Sequence, residues 1–260
     1  MKIMKNKKKL LDDVFNYRKT VILLTGAKTG LFDFIIENAS ANLEEICREF
    51  NWSERAAEIF MNTLCAVGYL HKKGSEYKIA TDYTNIFSGR NYFLLREWLL
   101  HEWRLMNRWV HLPEVLESGR PYREPEKTKT HRNHRNFIMS MAHREKENMD
   151  DMLKAVSLDD CRHLLDLGGG PGIFAIGLAE KYPGLRATVF DTPETEDITM
   201  SFIRNSPAGD RIEFRGGDFI SDDLGSAYDA ALLSSILHIY GPADNKMLLK
   251  KVYRSMTNPG

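Results

Sequence analysis

Nine consecutive residues constrain this chain most: Leu164-Leu165-Asp166-Leu167-Gly168-Gly169-Gly170-Pro171-Gly172. An apolar run ends in an acid, passes into a glycine-rich turn, and opens a helical pattern at Ile173. That order of strand, loop and helix begins a nucleotide-binding α/β unit. Glycine lets the backbone turn sharply and lets a ligand come within contact distance of main-chain N–H groups. The dinucleotide fingerprint Gly-x-Gly-x-x-Gly is not met, because the sixth position from Gly168 is Ile173. No Gly-Lys-Ser/Thr ending follows, which excludes a P-loop. What remains is Asp-x-Gly-x-Gly-x-Gly, carried by Asp166, Gly168, Gly170 and Gly172.

At 260 residues the chain is long enough for two domains with cores of their own. Its 36 basic residues balance its 36 acidic ones, so nothing global points to a nucleic-acid or membrane partner. Cys47, Cys65 and Cys161 are odd in number and far apart, which fits a reducing cytoplasm and neither a disulfide framework nor a zinc site. The apolar run at residues 21–24 is too short for a signal segment or a membrane span. The lysines at 2, 5, 7, 8 and 9 read as a frayed, solvated tail.

Residues 12–38 carry helical periodicity, punctuated by Gly26 and Gly30. A short helix follows at 42–50, capped by Ser40 or Asn42, and a second begins after Ser53 and ends at Gly68. Tyr69-Leu70-His71 and Tyr77-Lys78-Ile79 flank Lys73-Gly74-Ser75 as a hairpin. Helix, helix, hairpin describes a winged-helix unit, and such units often bind DNA. Charge argues against that here. Residues 10–90 hold nine Lys or Arg against eleven Asp or Glu, and the helix that would read DNA carries Glu54 and Glu58 against Arg55. Packing or dimerisation is the preferred role. Residues 91–117 are strongly aromatic, with a helical stripe through Trp98, Leu105 and Trp109. Residues 119–135 read as a polar loop, where His131 and His134 lack a Cys or carboxylate to complete a metal set. Helix resumes over 137–153.

From residue 163 strand and helix alternate, so the sheet is expected to be mostly parallel. The expected strands are 163–167, 186–191, 212–215 and 228–234, with helices at 173–182, 195–205 and 243–256. Asp-x-Gly-x-Gly-x-Gly resembles motif I of class I S-adenosylmethionine (SAM) methyltransferases. Ligands in open α/β sheets bind outside the carboxyl ends of the strands. Those ends here carry Asp166 and the glycine turn, Asp191, Gly217-Asp218-Phe219, and Ser234-Ser235-Ile236-Leu237-His238. Asp191 can accept from two ribose hydroxyls, Asp218 from the adenine amino group, and Phe219 offers an apolar face to the ring. Ser234 or Ser235 is placed to reach the methionine end. His238 titrates near neutrality and is the natural base for a hydroxyl acceptor.

Over residues 10–260 the chain resembles the SAM-dependent O-methyltransferases of the caffeate, acetylserotonin and antibiotic type. Gly30-Leu31-Phe32-Asp33, Leu43-Glu44-Glu45-Ile46, residues 64–70 and Tyr77-Lys78-Ile79 look like phrases of that family's N-terminal winged-helix dimerisation domain. Asp191 matches its ribose acid, Gly217-Asp218-Phe219 its adenine segment, and residues 234–238 the segment ending in its catalytic histidine. The resemblance implies an α/β protein: a Rossmann-like SAM methyltransferase sheet preceded by a mostly helical winged-helix domain. It implies domains at 1–90 (winged helix), 91–155 (helical linker and acceptor pocket) and 156–260 (SAM binding). It also implies SAM as methyl donor, S-adenosylhomocysteine (SAH) as product, a small-molecule hydroxyl as acceptor, a homodimer, and neither metal, nucleic acid nor membrane.

Three departures stand out. Ile239 follows His238 where many relatives have an acid, and serines stand at 234 and 235 where a basic residue is frequent. The family's remaining strands lie beyond residue 260, so the sheet is expected to be truncated. The competing readings are a C-, N- or S-methyltransferase without a histidine base, and a non-catalytic SAM-binding or winged-helix regulatory protein.

Overall fold

The computed structural model describes residues 2–89, 92–124 and 130–257. The chain divides into two compact units, Met1–Lys129 and Thr130–Gly260. The expected 91–155 region is shared between them, with its aromatic helices in the first unit and its later helices in the second.

The first unit opens with α1 (Lys2–Thr29) and α2 (Leu31–Glu37). The lysine run is therefore the start of α1 and not a frayed tail. Lysine is a good helix former, and Lys9 pairs with Asp13 one turn on at 2.6 Å. Gly30 supplies the left-handed residue, φ 81°, that separates the two helices. Then come β1 (Ala41–Asn42), α3 (Leu43–Phe50), α4 (Glu54–Ala66), β2 (Leu70–Lys73) and β3 (Glu76–Ile79). The strands form an antiparallel sheet in the order β1-β3-β2. Asn42 caps α3 in a reciprocal box with Glu45, at 3.0 and 2.9 Å. Ser53 stands at the N-cap of α4, but its hydroxyl makes no capping bond. α5 (Thr81–Ser88), α6 (Tyr92–Trp109) and α7 (Leu112–Ser118) complete the unit. Phe32, Ile46, Met61, Leu64 and Tyr77 form the fully buried centre.

The second unit begins with α8 (His131–Glu147) and α9 (Met149–Ala155). The single helix expected over 137–153 is broken at Asn148. Its backbone and side-chain N–H groups both donate to the Arg144 carbonyl and close the first helix. β4 (His163–Leu167), α10 (Ile173–Lys181), β5 (Arg186–Asp191), α11 (Glu196–Ile203), β6 (Ile212–Gly216), β7 (Ala230–Leu232) and α12 (Pro242–Ser255) follow. The four strands are all parallel, in the order β6-β5-β4-β7. β7 is shorter than the expected 228–234. Asp229 turns its carboxylate onto the N–H groups of Arg162 and His163, and Ser235 takes a left-handed φ of 57°.

Alternation along β4 sends Leu164 to a cluster with Leu178 and Val189, and Leu165 and Leu167 to a cluster with Phe190 and Leu248. Both faces of the sheet are thus covered, as a parallel sheet requires. The chain reverses its direction of build across the sheet between β4 and β7, which is where such folds hold ligands. No helix among the described residues is long and apolar enough to cross a membrane. The Asn258-Pro259-Gly260 stop lies outside the described residues.

Candidate active site

The turn after β4 holds Gly168, Gly170 and Gly172 at φ 67°, 50° and 73°. A Cβ on Gly168 would run into Ile236, and one on Gly169 would lie 2.6 Å from the Asp166 carboxylate. The turn is close-packed from below, and glycine is the residue that fits. Gly170 has no atom within 4 Å of a would-be Cβ and borders an open cavity of about 540 Å³.

That cavity lies against the carboxyl ends of the strands. Gly168, Gly170, Asp191, Asp218, Phe219, Ser234 and Ser235 all line it, so seven residues scattered over the sequence meet on one wall. Asp191 braces the turn as well: its Oδ2 accepts from Gly170 N–H at 2.8 Å and its Oδ1 from Thr192 N–H at 2.7 Å. Thr199 Oγ1 donates to the Gly170 carbonyl at 2.6 Å, so the Gly170 peptide is held from both sides. Asp218 Oδ1 accepts from Ile220 N–H at 2.8 Å, fixing its own turn. Phe219 is buried and packs edge-on against Tyr240 at 5.8 Å.

Four expected site residues do not line the cavity. Asp166 is 1 % exposed and lies under the turn, on the same face of β4 as Leu164, where it accepts the Ala175 N–H in the first turn of α10. Burial, with the Asp191 charge nearby, pushes its carboxyl up to about 7. Gly172 is the left-handed N-cap of α10. Gly217 makes room for Phe190, whose ring would sit 2.7 Å from a Cβ there. His238 is exposed on the surface, while Ile236, Ile239 and Tyr240 around it form the wall.

The opposite wall was not read from the sequence. α8 contributes His134, Ile138, Met141, Arg144 and Glu145. The signal was present: Ile138, Met141 and Glu145 recur at helical spacing, so a carboxylate interrupts an apolar stripe. His134 Nε2 meets Thr195 Oγ1 at 3.3 Å. Burial and the Asp166 charge push the Glu145 carboxyl up to about 9, against the Ile173 N–H that it accepts and the Arg144 charge.

Comparison with known proteins places this geometry. The O-methyltransferase domain matches residues 118–260. The tetracenomycin polyketide synthesis 8-O-methyl transferase TcmO of Streptomyces glaucescens is 26% identical over 251 residues, covering 92% of this chain and 72% of that protein. Acetylserotonin O-methyltransferase of Bos taurus is 38% identical over 109 residues, 42% of this chain and 31% of its own length. The structure of human N-acetylserotonin methyltransferase in complex with SAM superposes with a TM-score of 0.82 at 21% identity, over 98% of this chain and 78% of that one. With more than half of its length matched, the chain belongs to the O-methyltransferase domain family.

Proposed function

We propose that this chain transfers a methyl group from SAM to a hydroxyl of a small molecule. The observation that carries the reading is the convergence of Gly168, Gly170, Asp191, Asp218 and Phe219 on one cavity. The residues present fit SAM. The open side of Gly170 leaves room for close approach; Asp191 Oδ2 has Gly170 N–H as partner and keeps a second acceptor site for a ribose hydroxyl, while Oδ1 accepts from Thr192 N–H and, at 3.4 Å, from the Thr195 hydroxyl. Asp218 and Phe219 stand one strand further along, in place for a purine's amino group and face. When bound, SAM supplies an electrophilic methyl group on a sulfonium. The protein's task is then positioning and proton removal.

Ser234 and Ser235 carry the far end of the cavity, beyond β7. Proton removal falls to His238, whose neighbours Ile236 and Ile239 both line the cavity. The first unit serves dimerisation. Leu10, Leu11, Val14, Phe15 and Tyr17 of α1 are exposed, an apolar set that a partner copy would cover. Glu54 and Glu58 are exposed on α4, which opposes DNA binding there.

The test is transfer from labelled SAM to a panel of phenols, catechols and thiols, with His238→Ala in parallel. Turnover on a hydroxyl acceptor should fall about 10²–10⁴-fold in the variant, with SAH affinity unchanged by calorimetry. Near-full turnover at neutral pH would reassign the acceptor atom or the base. Absence of both SAH binding and transfer would overturn the reading.

A further inference from the structure

One cavity wall holds an acid that the methyl-transfer reading does not use. Glu145 lines the cavity from α8. Its carboxylate accepts the N–H of Ile173, the first residue of α10, yet Oε2 is buried with no hydrogen-bond partner. Asp166, close enough for its charge to act on Glu145, accepts from the same helix turn at Ala175 and also has a buried, partnerless oxygen, Oδ2. A buried carboxylate oxygen without a donor is strongly unfavourable, and two of them around one turn leave a local deficit of positive charge. Burial, and after it the Asp166 charge, pushes the Glu145 carboxyl up to about 9.

We propose that Glu145 is a cofactor-binding residue that receives the α-ammonium of the amino-acid tail of SAM or SAH. The inference rests on the SAM reading above. Position selects the tail over the other cationic and donor groups. Asp191 and Asp218, at the ends of β5 and β6, mark the nucleoside side, whereas Glu145 is tied to the helix that follows β4, beside β7. An ammonium brings three donors and a positive charge to a cavity-lining carboxylate whose backbone partner is the Ile173 N–H alone. Arg144, next to Glu145 and also on the cavity wall, carries the charge that suits the tail's carboxylate.

The experiment is calorimetry of the full chain with two ligands, SAH and 5′-methylthioadenosine, which keeps the adenosine and thioether but has no amino-acid tail. In Glu145→Gln, which retains an acceptor for the Ile173 N–H, SAH should bind about 10- to 100-fold more weakly while methylthioadenosine changes less than about twofold. An equal loss for both ligands would make Glu145 a cap of α10 and overturn the proposal, as would no loss for either. A second arm needs no variant. On the wild-type chain an SAH analogue lacking the α-amino group should lose the same 10- to 100-fold, and full retention of affinity would overturn the proposal. Failure of the wild type to bind either natural ligand would instead overturn the SAM reading, and this proposal with it.

Discussion

Asp166 holds a titratable group where water does not reach. Its carboxyl ionises near 3.8 in the unfolded chain and about 7 in the folded one. Between those values the folded state binds the extra proton, so stability falls as pH rises through the window from about 4 to about 7. Asn at this position keeps an acceptor for the Ala175 N–H and has no proton to lose. Thermal melts of Asp166→Asn against wild type should therefore diverge in the variant's favour as pH rises, and level off above about 7. The expected gap is at least about 2–4 °C, which corresponds to roughly 1 kcal/mol in a domain of 150–250 residues. A gap that stays constant with pH would show that the carboxyl is not the titrating group. Much of the site was legible from residue type alone: Gly168, Gly170, Asp191, Asp218 and Phe219, read from the glycine turn and from the acids and the aromatic after the strands, all reach the cavity, whereas Gly172 and Gly217 do not. That Asp166 stands off the cavity and that Glu145, which the sequence reading did not single out, lines it have one reason. Period-two alternation aligns Asp166 with Leu164 on the face under α10, and helical spacing aligns Glu145 with Ile138 facing the site. Side-chain direction decides which acid meets a ligand, and a list of strand ends leaves it out.

Elements were read best where hydrophobic pattern and punctuation agreed. β4 and β5 fall where the sequence places them, because both are largely buried runs with an acid at or beside their last residue. β7 was overestimated, since an edge strand pairs along one side and its flanks bond elsewhere. One element's end depends on a residue with no sequence signal at all. Arg211 reaches from the turn before β6 to donate to the carbonyls of Ala179, Tyr182 and Leu185, at 2.6, 3.2 and 2.6 Å. These bonds tie the end of α10 to the loop after it, where the last helical carbonyls lack an intrahelical donor; the Tyr182 carbonyl also accepts from Leu185 N–H at 2.9 Å. Arg211→Met keeps the aliphatic stem and removes the donors. It should lower unfolding free energy by about 1–3 kcal/mol in denaturant titration and leave SAH affinity unchanged. A loss within about 0.5 kcal/mol would mean that water replaces the guanidinium.

At the scale of the whole molecule the chain makes two cores, one antiparallel and helical, the other a parallel sheet covered on both faces. Each core was foreseeable in outline from its pattern, but the boundary was not. Helical composition continues across residues 91–155, and only packing assigns α6 and α7 to one unit and α8 and α9 to the other. The exposed apolar residues of α1 predict self-association. Light scattering at micromolar concentration should return twice the chain's mass, and the pair Val14→Asp with Phe15→Asp should halve it. A monomeric mass for the wild type would remove dimerisation from the first unit's role.

The Gly170 peptide, held by Asp191 on its N–H and by Thr199 on its carbonyl, has a kinetic meaning. A turn already pinned on both sides has no search to perform when a ligand arrives. Association is then set by encounter and by opening of the walls, not by folding of the turn, and little ordering entropy is lost at that place. Slow steps in a catalytic cycle would then have to be sought elsewhere than in the glycine mould.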